Sequence, residues 1–140
     1  MRNPTAVLGA GRRSTRQGIW RLLMLDGKAI LVVEDEPMIA MMLDDLLTDL
    51  GCSVVGPAQN LAQALSLIGT NTFDAAIVDL NLNGTMSHPL IEALIGKGVP
   101  VIVATGYGGG ASDLPSGCRV LAKPYTIQHV EQVLRACLPD

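Results

Sequence analysis

Three consecutive carboxylates interrupt an apolar run near the start of the chain. The stretch ILVVEDEP places four large apolar residues directly before Glu34, Asp35 and Glu36. A buried strand that ends in adjacent carboxylates is unfavourable, because like charges repel and each resists desolvation unless a cation lies among them. The stretch therefore predicts a cation-binding site at the end of a strand.

Other apolar runs also end in polar residues. Asp79 ends FDAAIVD, Thr105 ends VPVIVAT, and Lys123 follows CRVLA. In a doubly wound sheet, ligands bind beyond the carboxyl ends of the parallel strands, where the winding direction reverses. With a strand order of 2-1-3-4-5, Glu34, Asp35 and Asp79 converge at one edge. Such an all-oxygen cluster suits a hard divalent cation, and Mg²⁺ fits best because it accepts few protein carboxylates and is completed by water and phosphate oxygens.

This set of residues predicts phosphoryl transfer. Asp79 is the natural nucleophile, since an aspartate can accept a phosphoryl group as an acyl phosphate. Lys123 supplies a point positive charge and Thr105 a hydroxyl donor for the phosphoryl oxygens. Together they would stabilise an in-line transfer.

The elements that position these residues form an alternating pattern. From Lys28 onward, short apolar strands alternate with helical patterns, which predicts an α/β fold with a doubly wound, five-stranded parallel sheet. The segment between Thr105 and Cys118 contains GYGGGASDLPSG and predicts a short or disordered fourth helix. Asn60 and Thr126 are the predicted caps of two other helices. The predicted inward positions are Ile39, Met42, Leu43, Leu46 and Leu50 on the first helix, Leu61, Ala64, Leu65 and Ile68 on the second, Leu90, Ile91, Leu94 and Ile95 on the third, and Val130, Val133, Leu134 and Cys137 on the last.

Length and charge favour one domain preceded by a tail. We predict a flexible basic tail over residues 1 to 27 and a single domain over residues 28 to 140. Residues 1 to 25 hold five arginines and no acid; because the net charge of the chain is −3, the remaining 115 residues carry −8. An acidic body argues against nucleic-acid binding. We favour a solvated tail over one that docks on an acidic partner. Met24 is an alternative start of the protein.

The expected location is the cytoplasm. Cys52, Cys118 and Cys137 are odd in number and lack a CxxC pattern, as expected for reduced thiols in a reducing compartment. The arginine-rich start is not followed by a long apolar segment, and no apolar run approaches the roughly 18 residues that a membrane helix needs. We therefore expect no membrane association.

Four motifs in order carry a family resemblance. ILVVEDEP, AAIVDLNLNG, VIVATGY and LAKPY resemble the receiver domain of two-component response regulators, the flavodoxin-like CheY family. The resemblance implies that Asp79 accepts the phosphoryl group, that Asp35 binds Mg²⁺ directly and Glu34 through water, and that the backbone carbonyl of Asn81 completes the metal shell. It also implies that Thr105 is the switch hydroxyl and Lys123 the phosphate-binding lysine.

Two features of the sequence concern the switch. Many receivers carry an aromatic residue three positions before the lysine, where this chain has Val120. The run VATGYGGG is similar to an alphaproteobacterial subgroup, the FAT GUY receivers, in which Ala-Thr-Gly is followed closely by Tyr and the fourth helix is loosened. By that resemblance, Tyr107 would take over part of the switch, and the partner would be a histidine kinase of the HWE or a related class.

We therefore expect a stand-alone response regulator receiver that takes a phosphoryl group from a histidine kinase or phosphotransfer protein. It would act through protein contacts, because the chain ends at Asp140 after the last predicted helix. It would not be an enzyme beyond catalysing its own phosphorylation and dephosphorylation. One rival is a receiver-like binding module that is never phosphorylated. The other is an aspartate-nucleophile phosphatase, which would need Asp-x-Asp after the first strand where this chain reads Glu34-Asp35-Glu36.

Several other residues have two interpretations. Met38 and Met41 lie outside the inward stripe of the first helix and are either core filler or an adaptable docking face for a kinase helix bundle. GYGGGA fits a dinucleotide fingerprint, but no good helix follows it, so a loop is favoured. We interpret His88 and His129 as surface residues rather than phosphohistidines.

Overall fold

The protein forms a five-stranded parallel sheet flanked by helices. In the computed structural model, the described residues are 25–106 and 114–138. Its strands are β1 (Ala29–Val33), β2 (Ser53–Ala58), β3 (Ala75–Asp79), β6 (Val101–Thr105) and β7 (Arg119–Ala122). They lie in the order β2-β1-β3-β6-β7, so the predicted strand order and the predicted flavodoxin-like fold are confirmed. A separate antiparallel hairpin follows β3 and consists of β4 (Asn81–Leu82) and β5 (Thr85–Met86).

Two helices of the described residues begin at the caps that the sequence predicts. The helices are α1 (Pro37–Asp49), α2 (Leu61–Thr70), α3 (His88–Gly96) and α4 (Ile127–Cys137). Asn60 caps α2 by accepting the backbone N–H of Gln63 at 2.8 Å, and Thr126 caps α4 by accepting that of His129 at 3.1 Å. Each side chain satisfies one of the N–H groups that a helix start leaves without an intrahelical partner.

Two apolar layers enclose the sheet. One face packs mainly against α1 and α4 through residues that include Leu43, Leu47 and Leu134, and the other packs against α2 and α3 through Ile68, Leu90 and Leu94. Most predicted inward positions are buried or partly buried in these layers. Leu65 is an exception: 44% of its surface is exposed, so the prediction that it faces inward is wrong.

The folded part starts earlier than residue 28. Leu25 is fully buried in the layer that also contains Leu47 and Leu50, and its carbonyl accepts the backbone N–H of Lys28 at 3.1 Å. The N–H of Gly27 donates to the carbonyl of Gly51 at 2.9 Å. Leu25 and Gly27, which we predicted as part of the tail, therefore contact the domain.

The rest of the predicted tail and the predicted weak fourth helix lie outside the described residues, apart from the flanks of that helix. Tyr107 and most of GYGGGA lie outside them as well. Over residues 25–106 and 114–138, every helix falls short of the length and apolar character required to cross a bilayer.

Candidate functional site

Register brings the polar strand ends together. Val33 on β1 lies beside Val78 on β3, so the residues that follow them, Glu34 and Asp79, are neighbours. Asp79 in turn lies beside Ala104 on β6, one position before Thr105. Thr105 pairs with Ala122 on β7, and the backbone N–H of Lys123 donates to the Thr105 carbonyl at 2.8 Å. The sheet thus places one polar residue from each of four strands along a single edge.

Lys123 is the cation among the acids at this edge. Its Nζ lies 2.7 Å from Asp79 Oδ2 and 3.9 Å from Glu34 Oε1. Glu34 is 1% exposed and Asp79 is 5% exposed, so both carboxylates are largely removed from water. A buried carboxylate needs charge-assisted hydrogen bonds, and the short contact between Lys123 and Asp79 is one.

The carboxylates are close enough to share a metal ion. Glu34, Asp35 and Asp79 each offer an oxygen, and these three oxygens all lie within 4.8 Å of one another. They carry three potential negative charges, which Lys123 alone does not balance. An oxygen-only cluster with surplus negative charge at the rim of an open cleft fits Mg²⁺.

Burial and the neighbouring charges shift two pKa values in the cluster. Burial raises the pKa of Glu34 to about 8; the charge of Asp79 adds to this effect, whereas the backbone N–H of Glu36 and the charge of Lys123 oppose it. Burial works against protonation of Lys123, but the hydrogen bond to Asp79 and the charge of Glu34 outweigh it, so the pKa of Lys123 is raised. Lys123 therefore remains a fixed positive charge.

The backbone beyond Asp79 is held by local hydrogen bonds. Asp79 Oδ1 accepts the N–H of Asn81 at 3.1 Å, so each carboxylate oxygen of Asp79 has one donor. The side-chain Oδ1 of Asn81 accepts the N–H of Gly84 at 2.6 Å. Asn83 and Gly84 have φ angles of 54° and 90°, as a tight hairpin turn requires. This Asn-Gly turn shapes one wall of the cleft.

A cleft of about 560 Å³ opens over this edge. Of the predicted site residues, Asp35, Asp79, Asn81, Thr105 and Lys123 line it, and Glu34 lies buried beside Asp79 and Lys123. All six predicted site residues are thus brought together. Glu36 and Met86 also line the cleft, although we had not predicted them as site residues. Glu36 stands at the N-cap of α1, where its N–H donates to Glu34 Oε2 at 3.1 Å.

Sequence reasoning missed two further residues near the site. Ser87 is fully buried and its hydroxyl contacts the carbonyl of Asp79, although a serine in a turn carries no signal of such a role. Tyr125 packs against the α1 and α4 layer, and its buried hydroxyl has no hydrogen-bond partner among the residues that the structure describes. Burial and the charges of Glu34 and Asp79 raise the pKa of Tyr125. An aromatic residue directly after Lys-Pro was the available signal.

The remaining candidate residues are not among those that line the cleft. Met38 and Met41 on α1 are 82% and 62% exposed, so neither fills the core. Val120, at the position of the switch aromatic, is 49% exposed on β7. His129 is exposed, and its Nδ1 accepts the N–H of Thr126 in a capping box, a role we had not predicted. His88 begins α3 and is half-buried rather than fully at the surface.

Residues 30–135 match the family model of the response regulator receiver domain. The chain belongs to this family. The receiver domain is 31% identical over 114 residues to the phyllosphere-induced regulator PhyR of Methylorubrum extorquens, a match that covers 78% of this chain and 43% of the relative. The chain thus spans less than half the length of that curated relative. Members of the family are regulatory domains of two-component signalling.

Solved structures give the same fold. The structure of SdrG from Sphingomonas melonis Fr1 is 39% identical, covers 81% of this chain and 98% of its own, and has a TM-score of 0.66. The receiver domain of sensor histidine kinase PA1611 from Pseudomonas aeruginosa is 23% identical, and the match covers 81% of this chain and 99% of that domain, with a TM-score of 0.71. That domain was solved with a magnesium ion coordinated in its active site cleft.

Proposed function

We propose that this receiver domain accepts a phosphoryl group on Asp79 from a phosphohistidine of a partner protein, in the presence of Mg²⁺. The observation that carries the proposal is the cluster itself. Asp79 lies in an open cleft, its carboxylate is oriented by Lys123 and Asn81, and two further acids are within metal-sharing distance. A phosphorylation site requires all three features together.

The transfer needs a nucleophile and a metal site, and Asp79 would take part in both. A carboxylate oxygen of Asp79 forms a bond to phosphorus while the bond from phosphorus to the imidazole nitrogen breaks, and the electron pair of that bond stays on the imidazole. Asp35, Asp79 and the carbonyl of Asn81 would hold Mg²⁺, with Glu34 acting through water. When bound, the ion neutralises the charge on the transferring phosphoryl oxygens.

Lys123 and Thr105 act on the product. Lys123 already contacts Asp79 Oδ2, so it can follow the charge from the carboxylate to the phosphoryl group. The hydroxyl of Thr105, at the end of β6, lines the same cleft and can donate to a phosphoryl oxygen. A switch needs a group whose contacts differ between two states, and a hydroxyl that donates to the phosphoryl group would be such a group.

The exposed methionines support a protein donor. Met38 and Met41 are exposed on the first two turns of α1, the helix that starts directly after Glu36. Flexible thioether side chains adapt to apolar partners. We propose that this face of α1 contacts a histidine kinase of the HWE or a related class, or a phosphotransfer protein. Output would then pass through protein contacts.

Intact mass measurement tests the assignment. After incubation with Mg²⁺ and acetyl phosphate, the wild-type protein should gain one phosphoryl group, and Asp79→Asn should gain none. Asp45→Asn is the matched control, because it removes an exposed carboxylate from α1 and should leave the adduct intact. An adduct that persists in Asp79→Asn would place the phosphoryl group elsewhere. A folded wild-type protein without any adduct would favour the unphosphorylated binding module.

A further inference from the structure

Ser87 has an unusual position for its residue type. It occupies the N-cap of α3, where a serine normally accepts an N–H of the first helical turn. Here its side chain makes no capping hydrogen bond. Its Oγ instead lies 2.8 Å from the carbonyl oxygen of Asp79 and 3.1 Å from that of Leu80, so the hydroxyl donates backwards to the end of β3.

The backbone of Ser87 makes the same connection. Its N–H donates to the Leu80 carbonyl at 2.9 Å, so hydroxyl and amide together hold two consecutive peptide groups. The N–H of Leu80 donates to the carbonyl of Ala104 on β6 at 2.9 Å. The peptide group that follows Asp79 is thus fixed from the sheet on one side and from Ser87 on the other.

The hairpin makes this contact possible. The chain leaves β3 after Asp79, turns at Asn83 and Gly84, and returns along β5 to Ser87. Ser87 is 0% exposed, so water cannot replace its hydroxyl at the two carbonyls. Loss of the hydroxyl would leave the Asp79 carbonyl without this donor, whereas the Leu80 carbonyl would keep the N–H of Ser87. The end of β3 would then be free to shift.

We propose that Ser87 is a positioning residue for the phosphorylation site. It fixes the two peptide groups that follow Asp79 and thereby aims both the Asp79 carboxylate and the Asn81 carbonyl into the cleft. The hydroxyl serves this purpose in place of the helix cap that it would otherwise supply. The inference rests on the proposed function, but its metal-binding consequence can be measured without any phosphoryl transfer.

Calorimetric titration with Mg²⁺ alone is the primary test. Removal of a group that orients metal ligands typically lowers metal affinity or activity 10- to 100-fold. We expect Ser87→Ala to weaken Mg²⁺ binding about tenfold or more and to slow phosphorylation by acetyl phosphate at subsaturating Mg²⁺. Ser66→Ala, on the exposed face of α2, is the matched control and should change neither.

A second pair of variants separates positioning from packing. Ser87→Thr and Ser87→Val have nearly the same shape, but only threonine keeps the hydroxyl. If Ser87 positions the site, threonine retains clearly tighter Mg²⁺ binding than valine, and this comparison also decides the matter if Ser87→Ala does not fold. Equal Mg²⁺ affinity in this pair, or wild-type affinity in a folded Ser87→Ala, would overturn the proposal. If the wild-type protein binds Mg²⁺ but takes no phosphoryl group, the proposed function fails while the affinity comparison still tests Ser87.

Discussion

The two ends of the parallel sheet are built on opposite principles. At the amino end, Leu25 is buried in the core, and backbone groups pair with one another, as in the bond from the N–H of Ser53 to the carbonyl of Lys28. At the carboxyl end, the buried side chains include the polar ones of Glu34, Asp79 and Thr105. Apolar burial stabilises the fold at the first end, whereas buried like charges oppose it at the second.

This difference shows how the chain can accommodate an unfavourable site. The same strands β1 and β3 pass through both ends, so packing around their middles and amino ends holds the acids together despite their repulsion. Substitutions at the amino end should therefore change stability and leave the chemistry alone. Substitutions at the carboxyl end should change metal binding and chemistry, with smaller or even favourable effects on stability.

The largest expected effect is at the amino end. Leu25→Ala removes a fully buried side chain and should lower the free energy of unfolding by about 2 to 5 kcal/mol, the usual range for buried leucine. Chemical denaturation measures this loss. Leu65→Ala on α2 is the matched control, because Leu65 is 44% exposed and should cost far less.

The same variant tests whether the two ends are independent. Folded Leu25→Ala should bind Mg²⁺ with wild-type affinity, because Leu25 lies at the end of the sheet opposite the carboxylates. Weakened Mg²⁺ binding in the folded variant would show that the ends are coupled. A decrease in the free energy of unfolding no larger than that of Leu65→Ala would show that residues 25 to 27 are not part of the domain.

The next effect concerns the metal at the carboxyl end. A ligand that binds only the folded state at 100 times its dissociation constant adds about 2.7 kcal/mol of stability. We expect Mg²⁺ at that level to stabilise the wild-type protein by this amount in denaturant titrations, and EDTA to abolish the gain. Asp35→Asn should lose most of the gain, since it removes one of three clustered carboxylates.

Asp45→Asn again supplies the control for this titration. It removes the same charge from an exposed position on α1 and should keep the full gain. If Asp35→Asn responds to Mg²⁺ as the wild-type protein does, then the clustered oxygens do not form the site and the contrast between the two ends loses its basis.

The sequence predicted the carboxyl end better than the amino end, for a physical reason. Carboxylates after apolar runs are conspicuous because they break a pattern, and parallel pairing forces such residues to one edge. Leu25 lies in an arginine-rich region of weak periodicity, so its burial depends on packing against α1 that local sequence does not report. Leu65 shows the opposite error, because helical spacing alone overestimates the width of the buried stripe on α2.

Ser87 shows why a polar contact behind the site could not be predicted from the sequence. Its residue type predicts a turn or a helix cap, and it does occupy the N-cap position of α3. The direction in which its hydroxyl points depends on where the hairpin returns relative to Asp79, which is a tertiary property. Asp79, Thr105 and Lys123 could be predicted because the ends of their strands fix their positions.

The last predicted effect is a pH dependence at the carboxyl end. The pKa of Glu34 is raised from 4.5 to about 8, chiefly by burial, so the folded state holds a proton that the unfolded state releases. Without Mg²⁺, the contribution of Glu34 to stability is therefore fully present below about pH 4.5 and is lost as pH rises to about 8. The slope for one proton cannot exceed about 1.4 kcal/mol per pH unit.

Glu34→Gln isolates this contribution, because glutamine keeps the shape and carries no charge. Unfolding free energies measured in EDTA between pH 5 and 8 should fall more steeply for the wild-type protein than for Glu34→Gln. Glu92→Gln on the exposed face of α3 should follow the wild-type curve. Saturating Mg²⁺ should flatten the wild-type curve, since the metal favours the ionised carboxylate that burial disfavours. Parallel curves for wild type and Glu34→Gln in EDTA would mean that the buried acids at the carboxyl end do not oppose folding.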